Sequence, residues 1–196
     1  DSDVDAATIS TSGAKVIQLH TGGMCHLDAE MTRQGLEGLG PQDVDLVVLE
    51  NVGNLVCPAE FDTGAVKNAM ILSVPEGDDK PLKYPLMFQV CDVVLINKID
   101  VLPYFDFDMD KCREYIAMRN PNAKVIPICA KTGEGIAEWT DWLREQGRKL
   151  RFSLPWVCPE KRAIPALRFC RVHEGAAYPL PDSGRILPQR SPLHCP

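Results

Sequence analysis

A thiol and an imidazole stand side by side at Cys25-His26, just after the glycine pair Gly22-Gly23, and a second thiol stands at Cys57, in front of Pro58. Thiolate and imidazole are donors that suit Zn²⁺ and Ni²⁺. The two glycines let the chain bend until adjacent side chains face one ion. Three ligands fall short of a closed tetrahedral shell, and a two-fold interface between identical chains could supply more. Read alone, a Cys-His dipeptide is more often ordinary packing than ligation, because unpaired cysteine is among the most buried residue types. Seven residues before Cys57 stands Glu50, with Gly53 between them. At a strand end such a carboxylate could organise Mg²⁺ and its water, and a glycine N–H could approach a phosphate closely. A plain strand-to-helix turn with an incidental cysteine accounts for the same letters equally well.

The most specific pattern is Asn97-Lys98-Ile99-Asp100, which follows the apolar run Asp92-Val93-Val94-Leu95-Ile96. An aspartate can accept two hydrogen bonds from the N1–H and exocyclic amine of guanine, an edge that adenine does not offer. The lysine stem can lie along the base, and the asparagine can tie neighbouring loops. Cys129-Ala130-Lys131 follows the next apolar run, where a backbone N–H can meet guanine O6. Together with Glu50 and Gly53 upstream, these loops point to a guanine-nucleotide site. No G-x-x-x-x-G-K-[ST] phosphate loop occurs in the 196 residues. Its several charge-assisted bonds each contribute on the order of 1.5–3 kcal/mol. The chain as written is therefore expected to bind GTP orders of magnitude more weakly than a chain with the loop, and to be inactive.

These loops need strands to carry them. Leu46-Val47-Val48-Leu49 reads as a central parallel strand buried on both faces, ending at Glu50, after which Gly53 and Asn54 turn the chain. Lys15–Leu19, Ala69–Val74, Asp92–Ile96 and Lys124–Ile128 read as further strands. Helices are expected over Ser2–Ser12 with Ser2 as N-cap, over about 27–39 closed by Gly40-Pro41, within 82–90, around 108–119, and over about 135–146 with Ile136, Trp139, Trp142 and Leu143 on one face. Strands alternating with helices make an α/β fold with a mostly parallel sheet. The phosphate cradle normally comes from the first strand and helix of such domains, so the expected fold is a three-layer GTPase-like domain lacking its first strand, P-loop and first helix.

A partial GTPase domain over 1–148 and a Pro/Arg-rich, poorly ordered tail over 149–196 are expected. Half of the 16 prolines lie beyond residue 150, where seven Lys or Arg face three acids, within a chain of net charge −6. That overall charge argues against nucleic-acid binding. No apolar run approaches a membrane span, the start DSDVDAATIS is no signal peptide, and the eight cysteines form no C-x-x-C pair, so a reducing cytoplasmic setting is expected. Cys91, Cys112 and Cys129 read as core residues, and His20 as an ordinary strand-end residue. Cys158, Cys170, His173, His194 and Cys195 have irregular spacing and read as coincidence. Asp78-Asp79-Lys80 could serve a nucleotide-dependent interface, and Asp3 or Asp5 could reach the nucleotide's Mg²⁺.

The chain resembles the HypB family, the GTPases that help insert nickel into NiFe hydrogenase. The resemblance rests on SDVDA at 2–6, TGGMCHLDAEM at 21–31, ENVGNLVCPAEFD at 50–62, SVPEGDDKPLKYPLMF at 73–88, NKIDVLPYFDFD at 97–108 and CAKTGEG at 129–135. It implies a dimeric GTPase of the SIMIBI class that hydrolyses GTP to GDP and phosphate. It also implies other hydrogenase-maturation proteins and the hydrogenase large subunit as partners. By that resemblance Cys25, His26 and Cys57 hold Ni²⁺ or Zn²⁺, Glu50 and Gly53 serve hydrolysis, and Asn97, Lys98 and Asp100, with Cys129, Ala130 and Lys131, bind the base. Three departures from the family pattern stand out: the missing P-loop, Cys129 where Ser is common, and the Pro/Arg-rich end. They are read as a fragment or a shifted frame. The alternative reading is a non-catalytic metal-binding or dimerisation module.

Overall fold

The computed structural model describes residues 4–40, 44–153 and 166–171. Five strands are formed by Val47–Glu50 (β1), Lys67–Ser73 (β2), Val93–Asn97 (β3), Lys124–Pro127 (β4) and Ala166–Arg171 (β5). They make one sheet in the order β1-β5-β2-β3-β4, every pairing parallel. The helices are Val4–Ser10 (α1), Ala29–Leu39 (α2), Cys57–Glu60 (α3), Lys80–Lys83 (α4), Pro85–Val90 (α5), Met109–Arg119 (α6) and Ile136–Ser153 (α7). Successive side chains of β2 and β3 point to opposite faces, as strand geometry requires. Met70, Leu72, Val94 and Ile96 pack with Met87 and Phe88 of α5 and with Cys112 and Ile116 of α6. Ala69, Val93 and Leu95 pack on the other face with Ile126, Ile128 and Trp142, supported by Ile136, Trp139 and Leu143 of α7. The sheet is therefore the middle of three layers.

Local chemistry sets the helix ends. Asp28 caps α2 by accepting the Met31 N–H at 2.8 Å, and Gly40 closes it in the left-handed conformation at φ 61°. Asp108 caps α6 by accepting from Asp110 N and Lys111 N, each at 3.0 Å. α1 gives way to Gly13 at φ 82°, as expected; its proposed cap, Ser2, lies outside the described residues.

Three expectations are corrected. β1 is an edge strand, and its burial alternates: Val47 and Leu49 are each 9% exposed, but Val48 is 53% exposed. A run of four apolar residues does not distinguish a strand covered on both faces from one that is not. Lys15–Leu19 is not a strand. Leu19 and Ile17 instead lie against α2, where a Cβ built on Gly35 would stand 3.0 Å from Leu19 Cδ2 and one on Gly38 2.6 Å from Ile17 Cδ1. A cleft of about 1160 Å³ is lined by α1, residues 13–19, α2 and β1, including Ile17, Val48 and Glu50. Third, no strand was expected beyond Gly147, yet Ala166–Arg171 is paired on both sides, Val47 facing Ala166 and Ala69 facing Phe169. The segment Ala-Leu-Arg-Phe-Cys-Arg has no two-residue alternation; the edges of β1 and β2 make it a strand, and local sequence does not disclose them.

Candidate functional site

Because all strands run parallel, the residues at their carboxyl ends share one edge, where ligands of open α/β sheets sit. Glu50 ends β1, and Asn97 ends β3, facing Ser73 at the end of β2. β5 and β2 separate β1 from β3, so the two loops lie roughly 14 Å apart at an interstrand spacing of about 4.8 Å.

At the β3 end, Asn97 Oδ1 accepts hydrogen bonds from Lys98 N at 2.8 Å and Ala130 N at 3.2 Å. It thereby ties the two loops that the sequence paired. Lys98 adopts φ 63°, the left-handed region that non-glycine residues seldom enter. Such strain is held by its surroundings: Ile99 N bonds Ile128 O and Ile128 N bonds Ile96 O. Asp100 Oδ1 accepts from the Cys129 thiol at 3.2 Å while its carboxylate stays exposed. Cys129 N bonds Glu134 O and Gly133 N bonds Cys129 O, closing the second loop on itself. Cys129 is thus both buried, as expected of a core residue, and bonded to the proposed base reader.

At the β1 end, Cys25 and Cys57 come together with Sγ atoms 2.8 Å apart. His26 Nδ1 lies 3.8 Å from Cys25 Sγ, and its ring is stacked on Phe61 with centroids 3.6 Å apart and planes 12° from parallel. The bonded Cys25 thiol, and then burial, push the Cys57 thiol above its ordinary range. One tetrahedral zinc with Zn–S bonds of about 2.3 Å sets two sulfurs about 3.8 Å apart, so this pair would open by roughly an ångström to receive an ion. The donor set fits a soft or borderline cation, but the third ligand is only beside it. Among the described residues no group of three or more His, Cys, Asp or Glu side chains converges on one ion position.

The sequence reading missed the residues that hold this pair. Asn51, 5% exposed, accepts from Leu27 N at 2.9 Å and Val52 N at 2.8 Å through Oδ1. Asn54 Oδ1 accepts from Val56 N at 3.1 Å and Cys57 N at 3.0 Å, while its Nδ2 donates to Cys25 O at 2.6 Å. Asparagine at strand ends and turns habitually bonds nearby backbone, and that was the available signal. Gly53 does not use the left-handed region; Asn54 N bonds Val52 O at 2.8 Å, an inverse γ-turn centred on Gly53.

The remaining candidates have internal duties or lie elsewhere. Asp78 Oδ2 accepts from Asp108 N, Asp79 pairs with Lys83, and Lys80 lies over the Tyr84 ring. Asp5 lines the cleft, on α1. Cys91 and Cys112 are core residues. Asp3, Cys158, His173, His194 and Cys195 lie outside the described residues, and Cys170 is in β5. No helix among the described residues is long and apolar enough to cross a membrane.

Residues 1–127 match the model of the CobW/HypB/UreG nucleotide-binding domain. The hydrogenase maturation factor HypB of Azotobacter chroococcum is 47% identical over 166 residues, covering 84% of this chain and 54% of that protein. HypB of Escherichia coli is 47% identical over 142 residues, covering 72% of this chain and 49% of its own length. The chain thus spans about half the length of these curated relatives. Among solved structures, HypB from Archaeoglobus fulgidus superposes with a TM-score of 0.69 at 39% identity, covering 75% of this chain and 71% of that one. HypB from Helicobacter pylori in complex with nickel superposes with a TM-score of 0.74 at 33% identity, covering 81% and 75%.

Proposed function

The chain belongs to the CobW/HypB/UreG nucleotide-binding family, and within it to HypB; from that premise we propose that it is the guanine-nucleotide- and nickel-handling part of a GTPase that serves hydrogenase maturation. The observation that carries the reading is the thiol pair Cys25–Cys57 at 2.8 Å, set seven residues from Glu50 on the same sheet edge as the joined base-reading loops. Asp100 selects guanine by its two acceptors, with Lys98 along the base, Asn97 fixing the loop, and the backbone of Cys129-Ala130-Lys131 at O6. Glu50 organises Mg²⁺ and its water, and Gly53 meets the terminal phosphate. Beside them the buried Asn51 Nδ2 has no acceptor among the described residues, which suits an incoming oxygen ligand.

Nickel is the cargo, with zinc as a competing occupant. Cys25, Cys57 and His26 are its ligands, and a second copy of the chain completes the shell across a two-fold interface. The other maturation proteins and the hydrogenase large subunit are the partners, in the cytoplasm. Hydrolysis to GDP and phosphate displaces the loop 50–54, and the short link to Cys57 passes that displacement to the cargo. The second reading, a metal-binding or dimerisation module without turnover, is favoured by one fact: no G-x-x-x-x-G-K-[ST] occurs in the 196 residues. Titrating the chain with Ni²⁺ and with a fluorescent GTP analogue in Mg²⁺ tests both. Tight nickel binding with weak, non-turning-over nucleotide fits the module. Nickel affinity that shifts when nucleotide is added fits the GTPase, because coupling must be reciprocal. Absence of nickel binding removes the metal half of the proposal.

A further inference from the structure

The two loops that bring the thiols together share no backbone–backbone hydrogen bond between residues 21–28 and 51–57, among the described residues. Two side-chain amides join them instead. Asn51 reaches Leu27 N, and Asn54 reaches Cys25 O at 2.6 Å while also holding Cys57 N at 3.0 Å. Asn54 bonds the backbone of both cysteines themselves, Cys25 O and Cys57 N. Its orientation is over-determined: turning the amide over would set an NH₂ group against two N–H donors and an oxygen against a carbonyl. It also directly follows Gly53, the centre of the γ-turn.

We propose that Asn54 is a positioning residue: its amide is the strut that sets the separation of Cys25 and Cys57 and carries any displacement of Gly53 to both. The inference rests on the reading of the thiol pair as the cargo site, and it acts through the cysteines without contacting the ion. Asn54→Asp separates the two halves of the strut. An aspartate keeps the acceptor for Val56 N and Cys57 N, so the turn into α3 survives, but it has no N–H to give Cys25 O and repels that carbonyl. Asn54→Ala removes both halves.

The experiment uses the 196-residue chain in two arms. In the first, diamide oxidises the thiols. One thiolate adds to its N=N bond, the second displaces it at sulfur, both thiol protons end on the two nitrogens, and the Cys25–Cys57 disulfide is counted by peptide mass. Loss of one neutral hydrogen bond corresponds to about a twofold to twelvefold change in the population of the closed pair. Cross-linking in Asn54→Asp should slow by that factor, with far-UV circular dichroism unchanged, and in Asn54→Ala by at least as much. In the second arm, Co²⁺ alone is the probe. The parent should give an intense thiolate-to-cobalt absorption, and Asn54→Asp should lose it at equal Co²⁺. A merely structural residue would not move that band while leaving the fold intact. Cross-linking of Asn54→Asp at the parent rate overturns the proposal, whatever Asn54→Ala does. A parent that cross-links readily but gives no cobalt–thiolate band instead overturns the cargo-site reading, and the first arm still decides on Asn54.

Discussion

The loops proposed to read the base grow from β3 and β4, and the Cys57 loop follows β1. In β3 the residues Val93 to Ile96 are all buried, and the strand has partners on both sides. In β1 alternate residues are exposed, and one side faces a cleft. At the first end backbone bonds, from Ile99 to Ile128 and from Ile128 to Ile96, add to the side-chain tie from Asn97 to Ala130 N. At the second end two asparagine side chains do the joining. A site that must recognise one rigid base gains from being fixed, because discrimination comes from donors and acceptors that do not move to suit a wrong ligand. A site that must take and release a cargo cannot be so fixed, and segments that move are drawn from the less buried part of a fold. The same sheet edge carries both sets of loops, one on the doubly paired β3 and its neighbour β4, the other on the opposite edge strand β1.

The sharpest break of this comparison is at Asp100. Asp100→Asn puts a donor where the base offers donors, and xanthine, with an oxygen at C2, becomes the better match. Sites built on such pairing reject the wrong partner by about 10⁴–10⁵, so the preference for GDP over XDP is expected to reverse by several orders of magnitude in competition titrations of the protein in a form that binds nucleotide. Retained guanine preference would show that the base end is not read by this carboxylate. Cys129→Ser, which keeps a donor to Asp100, is expected to leave the preference in place.

Next in size are the thiols. Cys57→Ala and Cys25→Ala should each lower nickel affinity by at least about a hundredfold, the upper end of what losing a residue that only orients a ligand costs. The double change should add little, because either one breaks the same site. Thiolates must be deprotonated to bind, so affinity falls as pH falls, and the raised Cys57 thiol makes that dependence extend above neutrality. Competition with a chromophoric chelator at several pH values measures all three. Additive losses would mean two separate sites.

Two glycines test packing directly. A Cβ on Gly135 would stand 2.1 Å from Pro127 O and 3.0 Å from Ile128 Cγ2, at φ 74°. On Gly23, at φ 92°, it would meet nothing within 4 Å. Gly135→Ala is expected to cost about 3 kcal/mol, combining left-handed strain with a clash on backbone, and Gly23→Ala about 1–2 kcal/mol from strain alone. Urea unfolding gives both numbers. Equal costs would mean that the two ends are equally tight.

The strands and the joined loops of the proposed base end were legible in the sequence because their logic is local. An apolar run, then Asn97 to Asp100, then a second run and Cys129 to Lys131 state both the strands and the loops that follow them. The structure joins them by the bond from Ala130 N to Asn97 Oδ1. The meeting of Cys25 and Cys57 was read from the family resemblance, since residues 32 apart carry no spacing signal of their own. Asn51 and Asn54 escaped because an asparagine after a strand reads as a turn, and its partners belong to another loop. Lys15–Leu19, with Val16, Ile17 and Leu19, is apolar enough to read as a strand, but the notches at Gly35 and Gly38 compete for its side chains. β5 was illegible for the opposite reason, being defined by partners far away in sequence.

The smallest expected effect compares two thiols that are both pushed upward. Cys57 is raised first by its partner thiol. Cys112, fully buried among Met87, Phe88 and Ile116, is raised by burial, and then by the charge of Asp78, from an ordinary 9.0 to about 12. In the unfolded chain the Cys112 thiol ionises near its ordinary value, while in the folded chain it keeps its proton until about 12. Above pH 9 the unfolded state therefore binds fewer protons, and stability must fall as pH rises. The contribution is intact below pH 9 and declines by at most about 1.4 kcal/mol per pH unit up to pH 12. Lysines and tyrosines also titrate there, but they are common to the parent and to Cys112→Ala, so the difference between the two isolates the thiol. Cys112→Ala should start less stable by about 1 kcal/mol from the lost packing. From pH 9 to 10.5 the parent should then lose about 1.5 kcal/mol more than the variant in urea unfolding. Parallel curves would mean that the Cys112 thiolate is accommodated in the fold. The core under β2 and β3 would then be open to water in the way that only the β1 end is expected to be.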